Sequence, residues 1–154
     1  MVKSGLVNDI SVSHYRLSIH LITAILIISI IFWLITNIFS KRNKLFFIFS
    51  RNYLPFQFFI LLVFIQIILG AFVSGLDAGQ IYQTWPMMGN TYLPDDLFFD
   101  DFNDFNNHSL VQFYHRNFAY MIIIYVLFLS MIIYKKKLVN LYKPSEIILT
   151  FLFF

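Results

Sequence analysis

Apolar positions in this chain do not alternate; they run on. Residues 17–39 and 54–76 each give 23 consecutive positions without a charged side chain. Residues 110–134 give 25, interrupted only by His115 and Arg116 near the start. At roughly 1.5 Å per residue, each run reaches about 34 Å or more as a helix, enough to cross a hydrocarbon core of about 30 Å. Helix is the expected form, because backbone in lipid must satisfy its own hydrogen bonds. A further apolar run begins at Ser145 and covers ten residues, too few to span. The predicted fold class is all-α: a polytopic transmembrane helix bundle with three complete spans and a truncated fourth. Sixteen mixed residues precede the first run, which is not the pattern of a signal peptide.

Composition agrees. Of 154 residues 59% are hydrophobic and only 12% charged, against about 25% charged in soluble domains. That excludes a water-soluble globule, a disordered chain and a nucleic-acid-binding module; the expected surroundings are membrane lipid. With no Cys there is no disulfide, thiolate metal site or Cys nucleophile.

The net charge of +3 matters less than where the charges fall. Lys41, Arg42, Lys44 and Arg51 lie between the first two spans, and Lys135, Lys136, Lys137 and Lys143 follow the third. Both segments are expected on the cytoplasmic or matrix side. Residues 77–109 carry Asp77, Asp95, Asp96, Asp100, Asp101 and Asp104 with no Lys or Arg, and are expected to form an outer-face loop. This topology leaves Met1 outside, close to Lys3 and Arg16, so a spanning segment is expected before it. The whole of 1–154 then reads as one membrane domain of a larger bundle.

Ionisable residues inside spans are functional candidates, since lipid makes them costly without partners. His20 lies one turn into the first span and His115 near the start of the third, both at similar depth in the outer half. An imidazole facing a bundle interior suits haem iron, and an interhelical hydrogen bond is the competing reading. Arg16 precedes His20 by one turn on the same face, and Arg116 follows His115 directly. Each Arg either pairs with a haem propionate or snorkels to the interface.

His14 and His108 read as polar loop residues. The Asp cluster lacks a D-x-D-x-D-G pattern and reads as a solvated loop rather than a calcium site. Gly70, Ser74 and Gly75 form a small-residue patch that admits a helix, or a flat porphyrin, at close range. Tyr82, Trp85 and Tyr92, with Trp33 and Tyr134, read as interfacial belts. No nucleotide-binding loop or hydrolase elbow is present.

The run Gly75-Leu76-Asp77-Ala78-Gly79-Gln80-Ile81-Tyr82, continuing Thr84-Trp85-Pro86-Met87-Met88-Gly89 and Tyr92-Leu93-Pro94, resembles the haem A synthase family. Val111-Gln112-Phe113-Tyr114-His115-Arg116 is similar to the start of that family's sixth helix. Met1-Val2-Lys3-Ser4-Gly5-Leu6 and Ser13-His14-Tyr15-Arg16-Leu17 through His20 resemble the approach to its fourth. The absence of Cys suits the proteobacterial and mitochondrial branch.

The resemblance implies an eight-helix protein of two similar halves, each holding a haem between two His residues. Its activity is oxidation of the C8 methyl of haem O to the formyl of haem A, through hydroxylated stages, for cytochrome oxidase assembly. His20 is then one ligand of the substrate haem site, and His115 one ligand of the haem b that carries electrons. Haem O synthase is the implied supplier of substrate, and a bacterial or mitochondrial inner membrane the implied location. The chain covers roughly helices four to seven. The second His of each pair and the family's acidic catalytic motif are missing, so these 154 residues alone are expected not to make haem A. Alternatives from other classes are a b-type cytochrome electron-transfer subunit and an inactive membrane fragment without haem.

Overall fold

A computed structural model describes residues 13–40, 51, 53–97 and 102–153. Among them the chain is helical, with no strand beyond an isolated bridge between Met88 and Thr91. Four helices follow in order: α1 His14–Ser40, α2 Leu54–Gly75, α3 His108–Lys135 and α4 Tyr142–Phe153. The first three are long and apolar enough to cross a membrane, as the uninterrupted runs predict. Residues 1–6 and Lys41, Arg42, Lys44, Asp100 and Asp101, on which part of the sequence reading rests, lie outside the described residues.

The helix ends are set by local chemistry. α3 begins at His108, two residues before the apolar run, because the Asn107 side chain accepts from the backbone N–H groups of Ser109 (3.0 Å) and Leu110 (3.2 Å). Those donors have no partner inside the helix, and an Asn cap satisfies them. α2 stops at Gly75, and Asp77 follows with φ 52° in the left-handed region. α4 starts three residues before Ser145; Pro144 falls in its first turn, where a missing N–H costs nothing. Within α1 the hydroxyls of Ser18, Thr23, Ser29 and Thr36 donate to carbonyls three or four residues back. Polar groups bonded in this way can sit in an apolar span without calling on water.

The chain divides into two compact units, Met1–Lys44 with Ile67–His115 and Leu45–Gln66 with Arg116–Phe154. In the second, the Tyr125 hydroxyl donates to the Pro55 carbonyl (2.9 Å), with Phe58 edge-on to the Tyr125 ring. Val126, Leu129 and Ile133 of α3 are buried there with Ser145 of α4.

In the first unit, α1 meets the C-terminal end of α2 at Gly75. A Cβ on Gly75 would stand 2.7 Å from the His14 Cβ and 2.8 Å from its Cα. The His14 ring lies 5.0 Å from Phe72, near edge-on, and 4.1 Å from Tyr15. His14, expected to be a loop residue, is therefore the first residue of α1 and only 7% exposed. Its local sequence is polar; the contact that buries it comes from a distant segment.

Gly75→Ala is expected to lower unfolding stability by about 1–3 kcal/mol, the cost of overpacking a tight contact. Backbone and Cβ atoms of His14 cannot swing aside as a long side chain can. An unchanged thermal midpoint in detergent would show that α1 and α2 do not meet here.

Candidate functional site

The 77–109 connection and the first turns of α3 are held together by two polar side chains that the sequence reading names only within the 111–116 run and the Asp cluster, without this role. Gln112, 4% exposed, accepts from the Tyr82 N–H (3.3 Å) and donates to the carbonyls of Tyr82 (2.9 Å) and Gly79 (3.4 Å). It thereby satisfies a turn that has no ladder of its own: a single 3₁₀ turn, Ala78–Gln80, follows Asp77. The second is Asp96. Its carboxylate accepts from the Tyr82 hydroxyl (2.7 Å) and the Ser109 hydroxyl (2.6 Å), tying two points of the connection to α3.

Partial burial pushes the Asp96 carboxyl up, but the hydrogen bonds from Ser109 and Tyr82 outweigh it and leave the group below its ordinary value. Burial, followed by the bond to Asp96, raises the Tyr82 phenol. Tyr82 therefore stays a donor and Asp96 an acceptor at neutral pH. The connection also contains a cis Trp85–Pro86 bond and buries Met88, Pro94 and Leu97. Tyr114 reaches back from α3 to donate to the Phe102 carbonyl (2.9 Å).

One turn beyond Gln112 on α3 stands His115, half-buried. Its ring faces Gly70 of α2: a Cβ at Gly70 would lie 3.2 Å from the imidazole Cε1 and 3.8 Å from Nδ1. The small-residue patch thus has two separate uses. Gly75 admits the backbone of α1, Gly70 admits the His115 ring, and Ser74 is exposed.

His20 and Arg16 lie on α1, both exposed and one turn apart. Arg116 follows His115, half-buried on α3. His20 is six residues into α1 and His115 seven into α3, so each sits about 9–11 Å along its helix. His108, exposed, is the first residue of α3. Among the described residues no group of three or more His, Cys, Asp or Glu could hold a bare metal ion. The donors fit a haem better: a single imidazole held by packing in one place, and an imidazole with a guanidinium one turn away on an uncovered face in the other.

Residues 1–154 match the model of the cytochrome oxidase assembly protein family, COX15-CtaA. The chain belongs to this family. It is 44% identical over 143 residues to a haem A synthase of Pelagibacter ubique, covering 89% of this chain and 41% of that protein. A haem A synthase of Wolbachia pipientis wMel is 42% identical over 135 residues, covering 84% and 38%. One of Rickettsia bellii is 43% identical over 148 residues, covering 89% and 42%. The chain therefore spans about two-fifths of the length of the curated relatives it matches. No solved structure matches it. With three apolar spanning helices, the family membership makes this an integral membrane protein.

Two outcomes follow from the clamp. Gln112→Leu leaves the Tyr82 N–H and two carbonyls without their partner, a loss of about 1–3 kcal/mol, and residues 79–84 should exchange their amide hydrogens faster. Asp96 titrates lower in the folded protein than in the unfolded chain. Its contribution is thus fully present above the unfolded value of about 3.9 and lost as pH falls through the folded one. Acidification below about pH 4 should loosen the connection in the parent and change little in Asp96→Asn. Equal acid sensitivity in both would refute this role of Asp96.

Proposed function

We propose that this chain supplies one axial imidazole to each of two haems in a haem A synthase. His115 serves the electron-carrying haem b and His20 the haem O that is oxidised to haem A. The observation that carries the reading is the seat of His115: half-buried in α3, its ring against a glycine and one turn from the Gln112 clamp. A ligand imidazole must be held in one orientation for its lone pair to meet the iron, and a packed glycine contact supports that.

His20 and Arg16 support the second half of the proposal. An exposed imidazole and guanidinium one turn apart on an apolar helix are costly in hydrocarbon. His20 would hold a haem there, and the Arg16 guanidinium would pair with a propionate carboxylate. Arg116 is assigned the same pairing beside His115.

Bound haem supplies the redox chemistry; the residues of this chain bind it, orient it and exclude water. The second imidazole of each pair is assigned to helices outside these residues. On this reading 1–154 is one membrane domain of an eight-helix bundle in a bacterial or mitochondrial inner membrane. Residues 77–109 lie on its outer face, haem O synthase provides the substrate, and cytochrome oxidase receives the product.

The test is haem content. In the assembled protein purified from membranes that make haem O, His115→Ala should lose haem b and keep haem O or haem A. His20→Ala should do the reverse, on extraction and chromatography of the pigments. Gly70→Ala, which moves the His115 ring by a few tenths of an ångström, should retain haem b with a shifted midpoint potential. A colourless assembled parent protein would sink the assignment. Haem b without any formyl product in the assembled protein would favour a b-type electron-transfer subunit.

A further inference from the structure

The C-terminal end of α3 closes with an unusual choice of residue. The Leu138 N–H donates to the Ile133 carbonyl and the Lys137 N–H to the Tyr134 carbonyl, each at 3.1 Å. This pair of bonds is the Schellman ending, which places one residue in the left-handed region, usually Gly. Here that residue is Lys137, with φ 51°. A Cβ is strained in this conformation, and Gly relieves it. The helix dipole does not account for the choice, because Lys135 already stands in the last turn. Topology does not account for it either, since Lys135, Lys136 and Lys143 mark the same end.

Lys137 lines an exposed hollow of about 910 Å³ whose described lining residues all belong to the second unit. Lys136 and Lys137 lie on it with Tyr53 and Asn140, while Phe56 and Ile132 are among its apolar walls. Among the described residues no acidic side chain lines it. Glu146, the one acid in the sequence of that unit, accepts from the Tyr134 hydroxyl (3.2 Å) instead. Two cationic residues and apolar walls lining one hollow beside a membrane-spanning helix match a phosphate headgroup with its acyl chain.

We propose that this hollow is a binding site for an anionic phospholipid, with Lys136 and Lys137 holding the headgroup phosphate. The acyl chain lies along Phe56 and Ile132. Lys137 occupies a glycine position because its ammonium is needed there. The proposal does not depend on the haem assignment.

The experiment equilibrates the protein with vesicles of equimolar phosphatidylglycerol and phosphatidylcholine, then reads retained lipid by native mass spectrometry. The parent should retain phosphatidylglycerol preferentially. Lys136→Gln and Lys137→Gly should each lower that preference by roughly fivefold, the size of one basic contact with an anionic surface. Lys137→Gly should at the same time raise the thermal midpoint, showing that the loss is not misfolding. Lys143→Gln, outside the hollow, should change little. Retention in the vesicle ratio by the parent, or unchanged preference in Lys137→Gly, would overturn the proposal. An equal loss in Lys143→Gln would overturn it too, by showing diffuse charge attraction instead of a site.

Discussion

Two positions of α2 without side chains set how closely other parts of the first unit approach it. At Gly75 the incoming atoms are the Cα and Cβ of His14, which are anchored to the start of α1. At Gly70 they belong to the edge of the His115 ring, which can move by a small torsion. The same substitution therefore has different physics at the two sites. A methyl at Gly75 opposes the packing of one helix on another, and its cost appears in stability. A methyl at Gly70 redirects an imidazole, and its cost appears in whatever that imidazole binds. The 77–109 connection is held within the same unit through Gln112 and Asp96, both of which bond Tyr82.

The spans were legible because a hydrocarbon environment imposes a length and an apolar composition that few other structures share. Their ends were not, because ends depend on single side chains. Asn107 starts α3 two residues early, and the left-handed Asp77 follows the end of α2. His14 was misplaced for a different reason: a polar local sequence concealed a contact with α2 that only the fold brings about. Gln112 stands in the 111–116 run, but its role is not legible there, because its partners are backbone carbonyls and an amide of the connection, which leave no pattern in the sequence. The available hint was a lone Gln on the apolar start of a span, one turn before a candidate ligand. The run Lys135-Lys136-Lys137 at the end of α3 reads as a topology signal, and nothing in it marks its last residue as strained. That information lies in a backbone angle.

His115 and His20 were both found as ionisable residues in apolar runs, yet the structure treats them differently. His115 is partly enclosed by α2; His20 and Arg16 are exposed on α1. On the haem reading this difference has a thermodynamic consequence. A face carrying an imidazole and a guanidinium is poorly accommodated by lipid tails, since each must find a partner or reach water. Anything that ligates one and neutralises the other removes that cost in the folded state alone, and so stabilises it by mass action. Haem at His20 is then as much a part of the packing of α1 as a buried side chain is. The His115 site already has its imidazole seated before ligand arrives. Loss of haem should therefore weaken the two sites unequally, with α1 the more dependent on its ligand.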